Sequence, residues 1–439
     1  MNTDTSIPPE AVDVVVVGGG IVGCSTAWFL AKGGLKVALC EKGRIAGEQS
    51  SRNWGFVRQQ GRDAAEMPMI MESLRIWRGL EDEIGEDVGF AQSGTLYLAR
   101  DQAELDARAE WLAVANMHQL DTKVVTGAAL DNLLDGANSR KDQWAGALHT
   151  ASDGRAEPAK AVPAIARAAA RQGVAVLTRC AVRGIESEAG RVAAVVTERG
   201  RIRTAAVVCA AGVWSSLFSG NLGITVPQLK VRGTVARTAP APNIADGAVW
   251  SPLIAIRRRQ DGGYTVAHGS ATEHPITPDS FRFFRKFIGA YSVDAASLRL
   301  RLDHCFFEEF RTPRRWALDA PTVFEKTRVL DPAPSPRILR EIRTNLDRWF
   351  PQLAAIPIVE SWAGMIEASP DALPIICEDA TLPGYFIATG FSGHGFGIGP
   401  GAGRAIADMV AGAPPMFDMT PFRLTRFFDG TPIKASQMI

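Results

Sequence analysis

The stretch that decides the fold runs from Val12 to Glu41 and reads VDVVVVGGGIVGCSTAWFLAKGGLKVALCE. Val12 to Val17 is a nearly unbroken apolar run, the pattern of a parallel strand buried on both faces. Gly18-Gly19-Gly20-Ile21-Val22-Gly23 follows at once and carries the G-x-G-x-x-G spacing. Ile21 to Lys32 then reads as a helix with Ala27, Leu30 and Ala31 on its apolar side, stopped by Gly33-Gly34. Lys36 to Cys40 reads as the second strand, and Glu41 sits at its end. Each residue type has a mechanical reason. Gly18 permits the tight turn, Gly20 lets the backbone approach a pyrophosphate, and Gly23 lets helix and strand pack closely. The N–H groups of the helix start, at Ile21 and Val22, offer a positive dipole end to phosphates. Glu41, 18 residues after Gly23, is placed to accept hydrogen bonds from a ribose hydroxyl pair. Strand, turn, helix and terminal acid agree on an adenine dinucleotide site.

Glu41 does not choose between NAD and FAD, which present the same ribose. The next segment does. Gly47-Glu48-Gln49-Ser50-Ser51-Arg52-Asn53-Trp54-Gly55 is polar and flexible, and lies where a long second cofactor arm would pass. Further on, Ala205 to Cys209 reads as a buried strand running into Ala210-Ala211-Gly212-Val213-Trp214, whose small residues let backbone lie beside a dinucleotide. Phe391-Ser392-Gly393-His394-Gly395-Phe396-Gly397 opens a segment, Gly390 to Gly403, with seven glycines. A helix is expected from Arg404 to Val410 after it.

On these four stretches the chain resembles the D-amino-acid-oxidase superfamily of FAD-dependent amine and amino-acid oxidoreductases, which includes sarcosine and glycine oxidases. The resemblance implies bound FAD, expected to be non-covalent because Gly364 stands where a cysteine would attach it, and an α/β fold. A Rossmann-like FAD-binding domain would interleave with an α+β substrate domain built on a mixed or antiparallel sheet. The expected partition gives residues 10–89, 152–226 and 360–413 to FAD, residues 90–151 and 227–359 to substrate, and residues 414–439 to a tail. The cofactor set is Gly18, Gly20, Ile21, Val22, Gly23, Glu41, Lys42, Ser50, Ser51, Arg52, Asn53, Trp54 and Gly55 in the first segment. Val182, Ala210, Gly212, Trp214, Gly364, Gly393, His394, Gly395, Phe396 and Gly397 complete it from the later ones. Trp214 reads as core rather more than as a cofactor contact.

Composition sets the outer limits. A chain of 439 residues with 46% hydrophobic and 22% charged residues is globular, with room for two or three domains. A formal charge of +1 offers no whole-molecule attraction to nucleic acid. Six dispersed cysteines and six dispersed histidines give no zinc spacing and no disulfide framework, so a reducing, cytoplasmic setting is expected. The acidic N-terminal stretch MNTDTSIPPEAVD does not read as a signal peptide, and no apolar run is long enough for a transmembrane segment.

The middle of the chain reads more coarsely. Phe90 to Arg100 is an expected strand, Asp101 to Met117 a helix, and Pro158 opens another helix to about Gln172. Val231 to Thr238, Ala248 to Ile256 and Gly263 to His268 are expected strands of the substrate domain. Trp362 to Glu367 is expected to return to the first domain. Phe281, Phe284, Phe287 and Tyr291 recur at helical spacing with Arg282, Arg285 and Lys286 between them, the pattern of an amphipathic helix.

Oxidation of an amine or amino acid at its C–N bond asks little of side chains, because the flavin takes the hydride and the resulting imine hydrolyses. A substrate carboxylate asks for a bidentate arginine. Arg58 is the first candidate, with Arg62, Arg232 and Arg257 behind it; Tyr264 and His268 could line the substrate face, and His394 could move a proton. Against the sarcosine-oxidase pattern, Thr265 and Gly397 stand where lysines are expected, and Gly364 where a cysteine would hold FAD. That leaves oxygen, a quinone or an electron carrier as the acceptor. Oxidation of a 2-hydroxy acid and a non-catalytic flavin-binding assembly factor are the alternatives on the same scaffold.

Overall fold

The computed structural model describes residues 7–134 and 144–435; the first six residues of the acidic N-terminal stretch and the last four of the tail lie outside them. The valine run forms the strand Val14–Val17, fully buried, with Val37–Cys40 parallel on one side and Ala206–Cys209 parallel on the other. The sheet has six strands, in the order Ile375–Glu378, Tyr385–Thr389, Ala206–Cys209, Val14–Val17, Val37–Cys40 and Ala175–Leu177. Only Ile375–Glu378 runs antiparallel to its neighbour. From Val14–Val17 the chain first builds toward one edge and later returns to build toward the other. The reversal leaves a crevice at the carboxyl ends of Val14–Val17 and Ala206–Cys209, where open α/β sheets bind ligands.

Four helices cover one face of this sheet. Ile21–Lys32 packs against Gly395–Val410 and Pro158–Arg171, and Met67–Ile84 packs against Gly395–Val410. The Gly395–Val410 helix begins nine residues earlier than expected from the sequence. Glycine is a poor helix former, yet here it lets helices nearly touch. A Cβ at Gly401 would stand 2.4 Å from the Met69 carbonyl oxygen, and one at Gly403 2.6 Å from the Ser25 side chain. Tertiary packing overrides propensity.

The second sheet has ten strands around the long strand Leu229–Thr238. Its neighbours are Ile358–Ala368 over its whole length and Tyr264–Ala267 and Thr272–Pro275 on the other edge. Ala255–Arg258, Ala248–Trp250, Thr95–Ala99, Gly146–Thr150 and Thr122–Val125 continue it. The strand expected to return to the first domain is hydrogen-bonded to Leu229–Thr238 of the larger sheet.

Other expectations also shift. Ala248 to Ile256 is a hairpin, because the chain turns at Ser251, where Ser251 Oγ accepts from Ile254 N at 3.2 Å. The Asp101 to Met117 helix breaks into Gln102–Ala109 and Leu112–Met117. The phenylalanine helix breaks at Phe283 into Pro278–Arg282 and Phe284–Asp294. Its buried side is Phe283 and Phe287, whereas Phe281 and Phe284 face solvent. Among the described residues no helix is long and apolar enough to cross a membrane.

Candidate functional site

One groove runs from the crevice of the first sheet to the edge of the second. At the nucleotide end its floor is main chain. Gly18 has φ +109°, and a Cβ there would lie 2.4 Å from the Ala210 carbonyl oxygen. A Cβ at Gly23 would lie 2.0 Å from the Gly18 carbonyl oxygen. Gly18 thus serves close packing of two adjacent strand ends, and Gly23 that of helix on strand. Gly20 differs: a Cβ there would meet only the Ser50 hydroxyl, at 3.1 Å, so this position faces the groove. Ser50 Oγ accepts from Ile21 N at 2.9 Å, which sets a hydroxyl at the helix start. The Glu41 carboxylate accepts from Gly19 N at 2.8 Å and Gly43 N at 2.6 Å. Burial raises its pKa, and these two amide bonds only partly offset that.

Every other member of the cofactor set lines this groove apart from Gly23 and Ser51. Ser51 turns back to the Glu48 carbonyl, 3.3 Å away. Arg52 lines the wall but its guanidinium is spent on Asp331, the Ala363 carbonyl and the Gly47 carbonyl. Trp214 lines it too, its indole N–H donating to Glu48 at 3.1 Å with the Lys42 ammonium 4.5 Å over the ring. A Cβ at Gly364 would come 3.2 Å from Arg52 Cβ. The residues fit an elongated dinucleotide. Gly20 leaves main chain open to it, the Ile21–Lys32 helix ends on it, and the buried Glu367 Oε2 on its wall has no hydrogen-bond partner.

The far end is built from charge. Arg58, Arg62 and His394 line the groove there, and Glu66 stands behind them, fully buried. His394 Nδ1 lies 3.1 Å from Glu66 Oε2. Arg62 Nε donates to the Arg58 carbonyl at 3.2 Å and Nη2 to the His394 carbonyl at 3.3 Å. Its Nη1 stands 3.7 Å from Glu66 and, among the described residues, makes no hydrogen bond. Burial lowers Arg62 to about 10, still a cation at pH 7. Burial, reinforced by Arg62, lowers His394 to about 4, so its ring is neutral at pH 7. Burial pushes Glu66 up, but the charges facing it win and hold it ionised. Arg62 is the permanent counter-charge. Arg58 donates to the Gln60 carbonyl and lies 5.4 Å over the Tyr97 ring. The Gly395–Val410 helix begins beside this cluster, so its positive end adds to the field.

Several candidates stand elsewhere. Tyr264 is fully buried under the larger sheet, where its hydroxyl accepts from Ile244 N at 2.8 Å. It belongs to the core and not to the groove wall, because its strand turns that face inward. Arg257 is locked to Glu157 at 2.9 and 3.2 Å, and its Nε donates to the Trp54 carbonyl at 2.6 Å. Arg232 is paired with Glu273. Thr265, matched above to an oxidase lysine, points its hydroxyl at Arg257 (3.1 Å) and lies off the groove. His268 does line the groove; its Nδ1 accepts from Ala271 N at 3.0 Å, and burial lowers its pKa. The sequence reading missed Gln49, Glu66 and Glu367. Glu66 and Glu367 carry no motif of their own, and only their burial beside the groove singles them out. Gln49 sat inside a segment already marked.

Residues 13–409 match the model of the DAO family, described as FAD dependent oxidoreductase. The chain belongs to this family. Its members depend on FAD, and the fold is that of FAD-dependent amino-acid oxidoreductases. The chain is 34% identical to the solved L-amino acid deaminase of Proteus myxofaciens, determined in complex with anthranilate. That likeness has a TM-score of 0.93 and covers 97% of this chain and 96% of the other. Glycine oxidase of Geobacillus kaustophilus is 26% identical, over 94% of this chain and 97% of that protein. Mitochondrial sarcosine dehydrogenase of Mus musculus is 27% identical over 95% of this chain but only 42% of its own length. The chain thus spans less than half the length of the first curated relatives it matches.

Proposed function

We propose that the groove seats FAD without a covalent bond and that the protein oxidises the C–N bond of an α-amino acid. The observation that carries this is the pair of arginines lining the charged end of the groove: Arg58, whose guanidinium donates to the Gln60 carbonyl and is paired with no carboxylate among the described residues, and Arg62 beside it, whose Nη1 pairs with Glu66 at 3.7 Å. A guanidinium without a carboxylate partner next to a second arginine suits a substrate carboxylate. When bound, FAD supplies the two-electron acceptor that converts the amine to an imine, which water then hydrolyses. The chain's own residues do the rest. Arg58 and Arg62 hold and orient the carboxylate, neutral His394 adds no competing charge, and the helix start at Gly395 aims positive potential at that end. Non-covalent binding is supported by the cysteines. Among the described residues all are free, and Cys40 alone reaches the groove, beside Glu41.

The reading extends to the acceptor, the setting and the domains. No lysine stands at Gly397; the Arg62 guanidinium comes within 3.3 Å of where a Cβ would be. This favours electron transfer to a quinone or carrier protein over oxygen. Six free thiols favour a cytoplasmic setting. The six-stranded sheet serves as the FAD domain and the ten-stranded sheet as the substrate domain. The test is direct. The purified protein should be yellow, anaerobic amino acid should bleach it, and an amine without a carboxylate should not. Colourless protein that takes up no FAD sinks the proposal. Yellow protein bleached by 2-hydroxy acids alone, or by nothing, favours the hydroxy-acid or the assembly-factor reading.

A further inference from the structure

Among the described residues Glu367 is a buried carboxyl with no cation to pair with. It lies on Ile358–Ala368, is 4% exposed, and its Oε2 makes no hydrogen bond although it borders the groove. A buried polar atom left unpaired costs about 1–3 kcal/mol, so such an atom at a binding site marks a partner supplied by the ligand. Its surroundings place it midway along the groove. A Cβ on Gly212 would stand 3.7 Å from Oε2 and 2.9 Å from Gln49 Nε2, and Gln49 adjoins Ser50 at the pyrophosphate cradle.

The charges around it do not neutralise it. Glu48, from the loop before Gln49, is an acid and disfavours a second negative charge nearby. Arg52 is engaged with Asp331 and two carbonyls. Lys230, the cross-strand partner of Glu367, bonds Glu309 at 2.7 Å, and Lys42 bonds Glu48 at 2.7 Å. Trp214, Phe391 and Ser392 bring no charge. An ionised carboxylate in this position would be uncompensated, and the neutral acid is the form the site accommodates.

We propose that Glu367 is a cofactor-positioning residue that works as a neutral acid, donating its O–H to an acceptor in the ribityl–diphosphate stretch of the bound dinucleotide. It rests on the seat of FAD proposed above. The consequence is a binding constant that depends on pH. Burial pushes Glu367 up to about 7, and the neighbouring Gln49 side chain and nearby amides only partly offset it. Seating FAD closes the groove over Oε2 and raises the group above its value in the open groove. FAD affinity is therefore full below the open-groove pKa and falls as pH rises through the bound-state one.

Apoprotein prepared from the holoprotein is titrated with FAD between pH 6 and 8.5, with flavin fluorescence as readout, for wild type, E367Q and E367A. Wild type should lose about tenfold in affinity across that range, the worth of one buried hydrogen bond. E367Q, whose amide still donates but does not titrate, should bind with no pH slope. E367A should bind about tenfold more weakly at pH 6, again with no slope. Circular dichroism confirms that each variant is folded. A flat wild-type profile, or a slope that survives in E367Q, overturns the proposal while leaving the FAD seat intact. Wild-type apoprotein that binds no FAD at any pH overturns the seat itself.

Discussion

The two ends of the groove are made of different materials. From Gly18 to Gly55 the wall is mostly backbone: glycines such as Gly18 and Gly55 with no room for a Cβ, the open Gly20, a helix start, and a carboxylate held by two amides. From Arg58 to Glu66 and at His394 it is side-chain charge in a dry place, where residues 328 apart in the chain touch. Backbone geometry is insensitive to pH, and where main chain packs on main chain it forgives no added atom. A buried charge cluster tolerates changes of volume but depends on every partner, because each ion is compensated only by the others.

That difference can be broken first at the glycines. Gly23→Ala places a Cβ 2.0 Å from a backbone oxygen, a strain of about 3 kcal/mol or more. Soluble expression and thermal midpoint should both drop. Gly20→Val should instead leave a folded, colourless protein, because its Cβ meets only the Ser50 hydroxyl. If the two variants behave alike, the assignment of one to packing and the other to cofactor approach fails.

At the charged end, Glu66→Gln leaves Arg62 and His394 without their carboxylate. Breaking a buried pair in this way costs about 3–5 kcal/mol, read as a lower denaturation midpoint with normal FAD content. Arg58→Ala should act on substrate and not on stability. The KM for an amino acid should rise about tenfold to a hundredfold, the loss of a charge-assisted hydrogen bond. An unchanged KM would move the carboxylate site elsewhere.

The smallest effect is a pH slope. An unfolded histidine takes its proton near 6.5, whereas buried His394 resists it until about 4. The unfolded state therefore binds more protons in between, and stability falls as pH drops from 6.5 toward 4. Glu66, held below its ordinary value, loses its own contribution over the lower part of the same descent. His394→Asn should flatten the upper part of the stability profile while leaving the Glu66 part. A profile identical to wild type would mean that His394 titrates normally.

Legibility follows the same division. The strand, turn, helix and strand of residues 14–40 were readable because period and glycine spacing are local properties, and the expected helix Ile21–Lys32 is found with the same bounds. The groove lining was readable wherever it is main chain next to a motif. Arg257 and Tyr264 could not be placed, because a strand's alternation does not say which face meets the groove, and both turn to other partners. The early start of the Gly395–Val410 helix was hidden by its own composition: glycine usually marks a loop, and only Met67–Ile84 and Ile21–Lys32 packed against it make a helix there.

By itself, then, the sequence determined a dinucleotide-binding strand–turn–helix, a second segment along the cofactor's path, and a glycine-rich return to the same site. These depend on backbone conformation, which neighbouring residues dictate. Only the tertiary structure decided which arginines line the groove and which are spent away from it, that Glu66 faces His394 and Arg62, and that Glu367 Oε2 is left without a hydrogen bond among the described residues. Such outcomes depend on burial and on which distant charges arrive together, and those are properties of the packed chain.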